Sequence, residues 1–122
     1  MKVVYLNVEK QKLPTVIDIE DELNVFYELI GCRCIDIVQR KIGHKYFDVI
    51  CDDEGALKED CIVSAVDTQF RQMLVGNLII SKSDDEGNLI DLSDKDIKQI
   101  LRHTKTYFTL SNKVYPALQM SY

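Results

Sequence analysis

The chain has 122 residues, of which 46% are hydrophobic and 29% charged, with a formal net charge of -5. That composition excludes a disordered segment, and the length suffices for one apolar core without metal or disulfide staples. The longest uncharged apolar run, residues 73–81, is far too short to span a bilayer as a helix.

In chain order, residues 3–8 and 15–19 read as two strands joined by the polar stretch EKQKLP. The N-terminus alternates and runs into charge with no small-residue cleavage site, which predicts a strand in a cytoplasmic protein and not a signal peptide. Residues 21–30 form the clearest helix: Leu23, Phe26, Tyr27 and Ile30 share one face, acidic Glu20, Asp21 and Glu22 suit its start, and Gly31 stops it. Residues 34–42 and 45–51 predict a hairpin closed by Gly43-His44, a glycine-first pair suited to a type II′ turn.

Residues 57–72 predict a short helix or loop, on the spacing of Ile62, Val66, Phe70 and Met73. Residues 74–81 predict one apolar central strand, with Gly76 marking a bulge or a close backbone approach, after which Leu89 and Ile90 pair back. Ser93 and Asp96 form a capping-box-like start to a second helix carrying Ile97, Ile100 and Leu101 on one face. Residues 106–122 read as a basic C-terminal hairpin around Ser111-Asn112-Lys113, its last strand placed at an edge by Pro116. The sum is a single α+β domain over 1–122: a mixed, mostly antiparallel sheet of about six or seven short strands with two helices on one face.

Asp-Asp-Glu-Gly occurs twice, at residues 52–55 and 84–87. A calcium loop needs an oxygen ligand five residues before its glycine, where these copies have Ile50 and Lys82. Both copies fail, and turns suit them better, with Asp early and Gly at a positive φ. The four cysteines, Cys32, Cys34, Cys51 and Cys61, lack zinc spacing and read as free, buried thiols; His44 reads as a turn residue and His103 as a surface residue near a helix end. The five glycines spell neither a dinucleotide fingerprint nor a P-loop, and no serine sits in a nucleophile elbow. A thiol beside the helix C-terminus at Gly31 is deactivated by the helix dipole. No catalytic residues, metal or cofactor are therefore expected.

Residues 48–96 hold 13 acidic and 4 basic side chains, net -9, whereas residues 97–122 hold 4 basic and no acidic ones. The acidic body opposes direct nucleic-acid binding, although the basic tail with Tyr107, Phe108 and Tyr115 has the residue types for it. Such asymmetry concerns partners, not fold. The two acidic turns follow strands expected to lie near each other, so Asp52, Asp53, Glu54, Asp84, Asp85 and Glu86 are expected to form one anionic, partner-binding edge.

The ordered series VIDIEDELNVFYELIG, CIDIV, DVICDDEGAL, LVGNLII and DDEGNLIDLS resembles the family called domain of unknown function 3846, over about residues 2–95. Leu29-Ile30-Gly31, Asp53-Glu54-Gly55 and Val75-Gly76-Asn77 carry the resemblance. The chain departs from the family pattern at Cys32, where a second glycine is common, and in LKEDCIVSAVD, which replaces a Leu-Pro-x-Asn-Arg segment. The resemblance implies a small accessory protein of a phage or mobile element, with no enzymatic activity. Together with the acidic middle it implies protein–protein binding, such as inhibition of a host defence nuclease. The rivals are a small-ligand or nucleotide sensor with a pocket near Gly76 and Gly31, and a homo-oligomer paired through the C-terminal edge strand.

Overall fold

Three strands carry the core because each presents apolar residues on both faces. In a computed structural model that describes residues 1–108 and 113–122, these are β1 (Lys2–Leu6), β4 (Lys45–Asp52) and β7 (Leu78–Ser83). Cross-strand neighbours Val4, Ile80 and Val49 form one fully buried row; Tyr5, Ile79 and Ile50 form the next, on the opposite face. β2 (Thr15–Asp18) flanks β1, and β3 (Ile35–Ile42) flanks β4. The resulting order is β2-β1-β7-β4-β3, with the short β8 (Leu89–Ile90) paired to β7 as expected.

A second sheet of four strands, β5 (Val63–Val66), β6 (Gln72–Val75), β9 (Thr104–Phe108) and β10 (Val114–Gln119), has the order β6-β5-β10-β9. The α+β class, mostly antiparallel, is as the sequence predicts, but among the described residues the strands number ten in two sheets instead of six or seven in one. The two helices do not share a face either. Helix α1 (Leu23–Ile30) seats Phe26 and Ile30 on the side of Val3, Ile50 and Ile79, while α2 (Asp94–Arg102) sends Ile100 to the other side, among Val4, Val49, Ile80 and the second sheet's Ala65 and Leu118. Strand alternation places these two apolar sets on opposite surfaces of one sheet. No helix among the described residues is long and apolar enough to cross a membrane.

Three local expectations change for tertiary reasons. Residues 57–72 are not helical beyond the short 3-10 turn Gly55–Leu57; Ser64, Ala65 and Val66 are buried as strand between β6 and β10. The apolar run 74–81 is two strands, because Gly76 at φ +81° turns the chain out of one sheet and into the other. β10 is an inner strand and not an edge. It pairs antiparallel with β9, but its parallel partner β5 meets it only at Leu118 and Gln119, beyond Pro116. The missing proline N–H thus falls where no β5 residue is paired. The C-terminal hairpin is accordingly part of the core, with Ala117 and Leu118 fully buried; its connection at 109–112, including Ser111 and Asn112, lies outside the described residues.

Helix α1 begins at Leu23, later than the acidic run suggests, and Leu23 itself is exposed. Helix α2 opens with the full capping box: the Ser93 hydroxyl accepts from the Asp96 amide at 3.1 Å, and the Asp96 carboxylate accepts from the Ser93 amide at 2.9 Å. The same buried carboxylate holds Lys45 Nζ at 2.6 Å and Lys82 Nζ at 2.7 Å, tying α2 to β4 and β7. Burial alone would raise its pKa, but the two ammonium groups and the Ser93 donors outweigh burial and hold it well below the usual carboxylate range.

Since the folded-state pKa lies below the unfolded one, this stabilisation is complete above about pH 4 and is lost as pH falls further. Asp96→Asn should lower unfolding free energy by about 2 kcal/mol at neutral pH, because two lysines lose their counter-charge. It should also shrink the wild-type loss of stability in acid. Urea unfolding across pH reads both effects; equal acid sensitivity in the two proteins would remove the triad from the account.

Candidate functional site

The first acidic turn begins at Asp52, the last residue of β4, whose side chain is only 6% exposed. One carboxylate oxygen accepts from the Glu54 amide at 2.9 Å, closing an Asx turn. The other holds Lys58 Nζ at 2.6 Å, and that ammonium also donates to the Gly31 carbonyl at 3.3 Å. The hydrogen bond to Asp52 holds the Lys58 ammonium above its ordinary pKa. Lys58 therefore straps the first acidic turn to the C-terminal end of α1.

Two further bonds complete that junction. The Leu29 carbonyl, among those a helix C-terminus leaves unpaired, accepts from Tyr5 Oη at 2.6 Å and from Asn77 Nδ2 at 3.3 Å. The Gly76 amide donates to the Ile62 carbonyl at 2.8 Å, so the residues on either side of the strand crossing are held by different parts of the chain. Gly55 fits because it has no Cβ: one placed there would lie 3.1 Å from Val75 Cγ2. The turn glycines thus act differently, since Gly87 takes φ +84° as a turn requires and Gly55 serves close packing instead.

These contacts leave a cleft of about 410 Å³ between the end of α1, the first acidic turn and the segment 58–62. Ile30, Gly55 and Gly76 line it, one residue from each stretch that carries the family resemblance. The opposite wall is the segment 58–62, which falls within the stretch where the chain departs from that pattern. Glu9, Asp52, Glu59 and Asp60 supply carboxylates, and Lys58, committed to Asp52, is the one cation among the described lining residues. A second cavity of about 430 Å³ lies past the Lys58–Asp52 pair, against Tyr27, Gly31 and Cys32.

The six acidic residues singled out in the sequence do not form one edge. β4 and β7 are antiparallel neighbours with Asp48 opposite Ser81, so their C-terminal ends point opposite ways. Continuing that register puts Asp84 level with Lys45, seven residues from Asp52, which is roughly 23 Å of extended chain. Asp52, Asp53 and Glu54 border the cleft end, and Asp84, Asp85 and Glu86 stand exposed at the other. Asp84 is itself occupied: its carboxylate accepts from the Glu86 and Asn88 amides at 2.9 Å each, which hold its pKa down. Glu9, Glu59 and Asp60 are the carboxylates that the repeated motif did not reveal. Glu59 and Asp60 sit in a visibly acidic run, whereas nothing local marks Glu9.

Among the described residues no three His, Cys, Asp or Glu side chains converge as metal ligands would. All four cysteines are free, but only Cys51 is buried; Cys32 is half-buried, and Cys34 and Cys61 are exposed. Burial pushes the Cys51 thiol up to about 11, with the Asp36 charge adding to it. Burial, more than the nearby Asp52 charge, also raises Cys32. In a disulfide-exchange titration of the native protein, Cys34 and Cys61 should react first and Cys51 only on unfolding. Four thiols reacting at one rate would contradict this burial.

No curated protein and no solved structure matches the chain. The family described as domain of unknown function (DUF3846) matches residues 1–105, which take in both helices, the whole six-stranded sheet and all three stretches that line the cleft, and stop before β10. On that match, the chain belongs to the DUF3846 family.

Proposed function

We propose that this protein is a binding module and not an enzyme, and that its cleft takes a basic segment of a partner protein. One observation carries the reading: Glu9, Glu59 and Asp60 line the cleft and form no salt bridge among the described residues, while the Lys58 ammonium, which also feels the Glu9 charge, is already paired to Asp52. An arginine or lysine side chain entering there meets excess negative charge from exposed carboxylates around an apolar floor of Ile30 and Ile62. Asp53 and Glu54, next to Asp52 in the first acidic turn, extend that field, so this reading draws on Asp52, Asp53 and Glu54 and leaves Asp84, Asp85 and Glu86 out.

In the mobile-element setting that the family resemblance implies, the partner would be a nucleic-acid-binding defence protein in the host cytoplasm. Carboxylates would occupy the basic groove that such a protein offers to phosphates. Support for a second reading comes from the cleft's volume and from its position by Ile30 and Gly76. Both suit a small cationic ligand. A ligand retained in native mass spectrometry and displaced by simple amines would favour that alternative.

The test is calorimetric titration with an arginine-rich peptide at low salt. Neutralising the cleft with Glu9→Gln, Glu59→Gln and Asp60→Asn together should weaken binding by about tenfold or more. Asp85→Asn with Glu86→Gln, at the far end, should change it by less than about twofold. The reverse ranking would sink the proposal.

A further inference from the structure

The opposite end of β4 carries a site of the other sign. A groove of about 340 Å³ lies between α2 and the β3–β4 turn, lined by His44, Lys45, Lys95, Lys98, Gln99 and Arg102, with Asp96 at its base. Asp96 is spent on Lys45 and Lys82. Lys95, Lys98 and Arg102 are exposed and have no acidic partner among the described residues. Their spacing of three and then four residues puts all three on one face of α2, along about 10 Å of helix axis.

The groove is built and not incidental. Gln99 Nε2 donates to the Ile42 carbonyl at 2.7 Å, and His103 Nδ1 lies 2.7 Å from the Gln99 carbonyl. The turn packs against that helix so closely that a Cβ on Gly43 would lie 2.5 Å from Gln99 Nε2. Turn and helix are thus fixed relative to each other before any ligand arrives.

We infer that this groove binds the phosphodiester backbone of a single-stranded nucleic acid. Three uncompensated cations on long, flexible side chains along one face of α2 can each reach a phosphate of one strand. Among the described residues the lining contains no Phe, Tyr or Trp on which a base could stack, so the contact reads phosphates and not sequence. The carboxylates of Asp84, Asp85 and Glu86, at the same end of the sheet by the β4–β7 register, oppose the broader field of a duplex. The inference is independent of the cleft: it uses different residues at the other end of the molecule.

The test is fluorescence anisotropy with a labelled oligothymidylate at several salt concentrations. Binding should weaken with a log–log salt slope near about -2, as expected for three phosphate contacts on a single strand. Lys98→Ala with Arg102→Ala should reduce affinity about tenfold or more and bring the slope near about -0.7. Lys10→Ala with Lys12→Ala, in the loop after β1, should change neither. No binding at low salt, equal losses in the two double variants, tighter binding of ATP or pyrophosphate than of the oligonucleotide, or equal binding of an oligoglutamate peptide would each overturn the inference.

Discussion

The arrangement depends on one constraint at Gly76-Asn77, where a single apolar run must leave one sheet and enter another. Glycine is needed because the backbone there takes φ +81°. Asn77 follows because the crossing passes the end of α1, where the Leu29 carbonyl lacks a helical partner and accepts from the Asn77 amide group and from Tyr5. With that joint in place, β6 and β7 belong to different sheets, α1 is held against β1 and β7, and the cleft opens beside the joint, against the end of α1.

The two copies of Asp-Asp-Glu-Gly show how one local signal serves two ends. In each copy the first aspartate accepts the amide of the glutamate two residues on, which is the turn the residues suggest. Their surroundings then diverge. Asp52 is nearly buried against Lys58 and helps to shape a cleft, while the second turn projects into solvent near the basic groove. The net charge of -5 thus averages an acidic end around the cleft and a mixed end where α2 lays out its lysines and arginine.

What the sequence disclosed was chiefly local. The capping box at Ser93 and the glycine-first turn at Gly43 rest on contacts within a few residues, and the apolar face with Phe26 and Ile30 on helical periodicity. Residues 57–72 misled because their strand character comes from pairing with β6 on one side and the distant β10 on the other, not from local periodicity. Pro116 misled in the same way, since an inner strand tolerates proline where its second neighbour is not yet paired. Proximity of β4 and β7 was legible from their apolar runs. Their antiparallel direction was not, and it alone sent the two acidic turns to opposite ends. The candidate site was half visible for the same reason: its glycines and Asp52 stood out, but Glu9 joins them only through the fold.

The central claim is that ligand recognition occurs in the cleft beside the Gly76 joint. Amide chemical-shift mapping of the full chain during titration with an arginine-rich peptide tests it most directly. The largest shifts should cluster at Ile30, Gly55, Cys61, Ile62 and Gly76, with the turn at Asp85 and Glu86 unmoved. Shifts centred on that second turn, with the cleft amides silent, would contradict it.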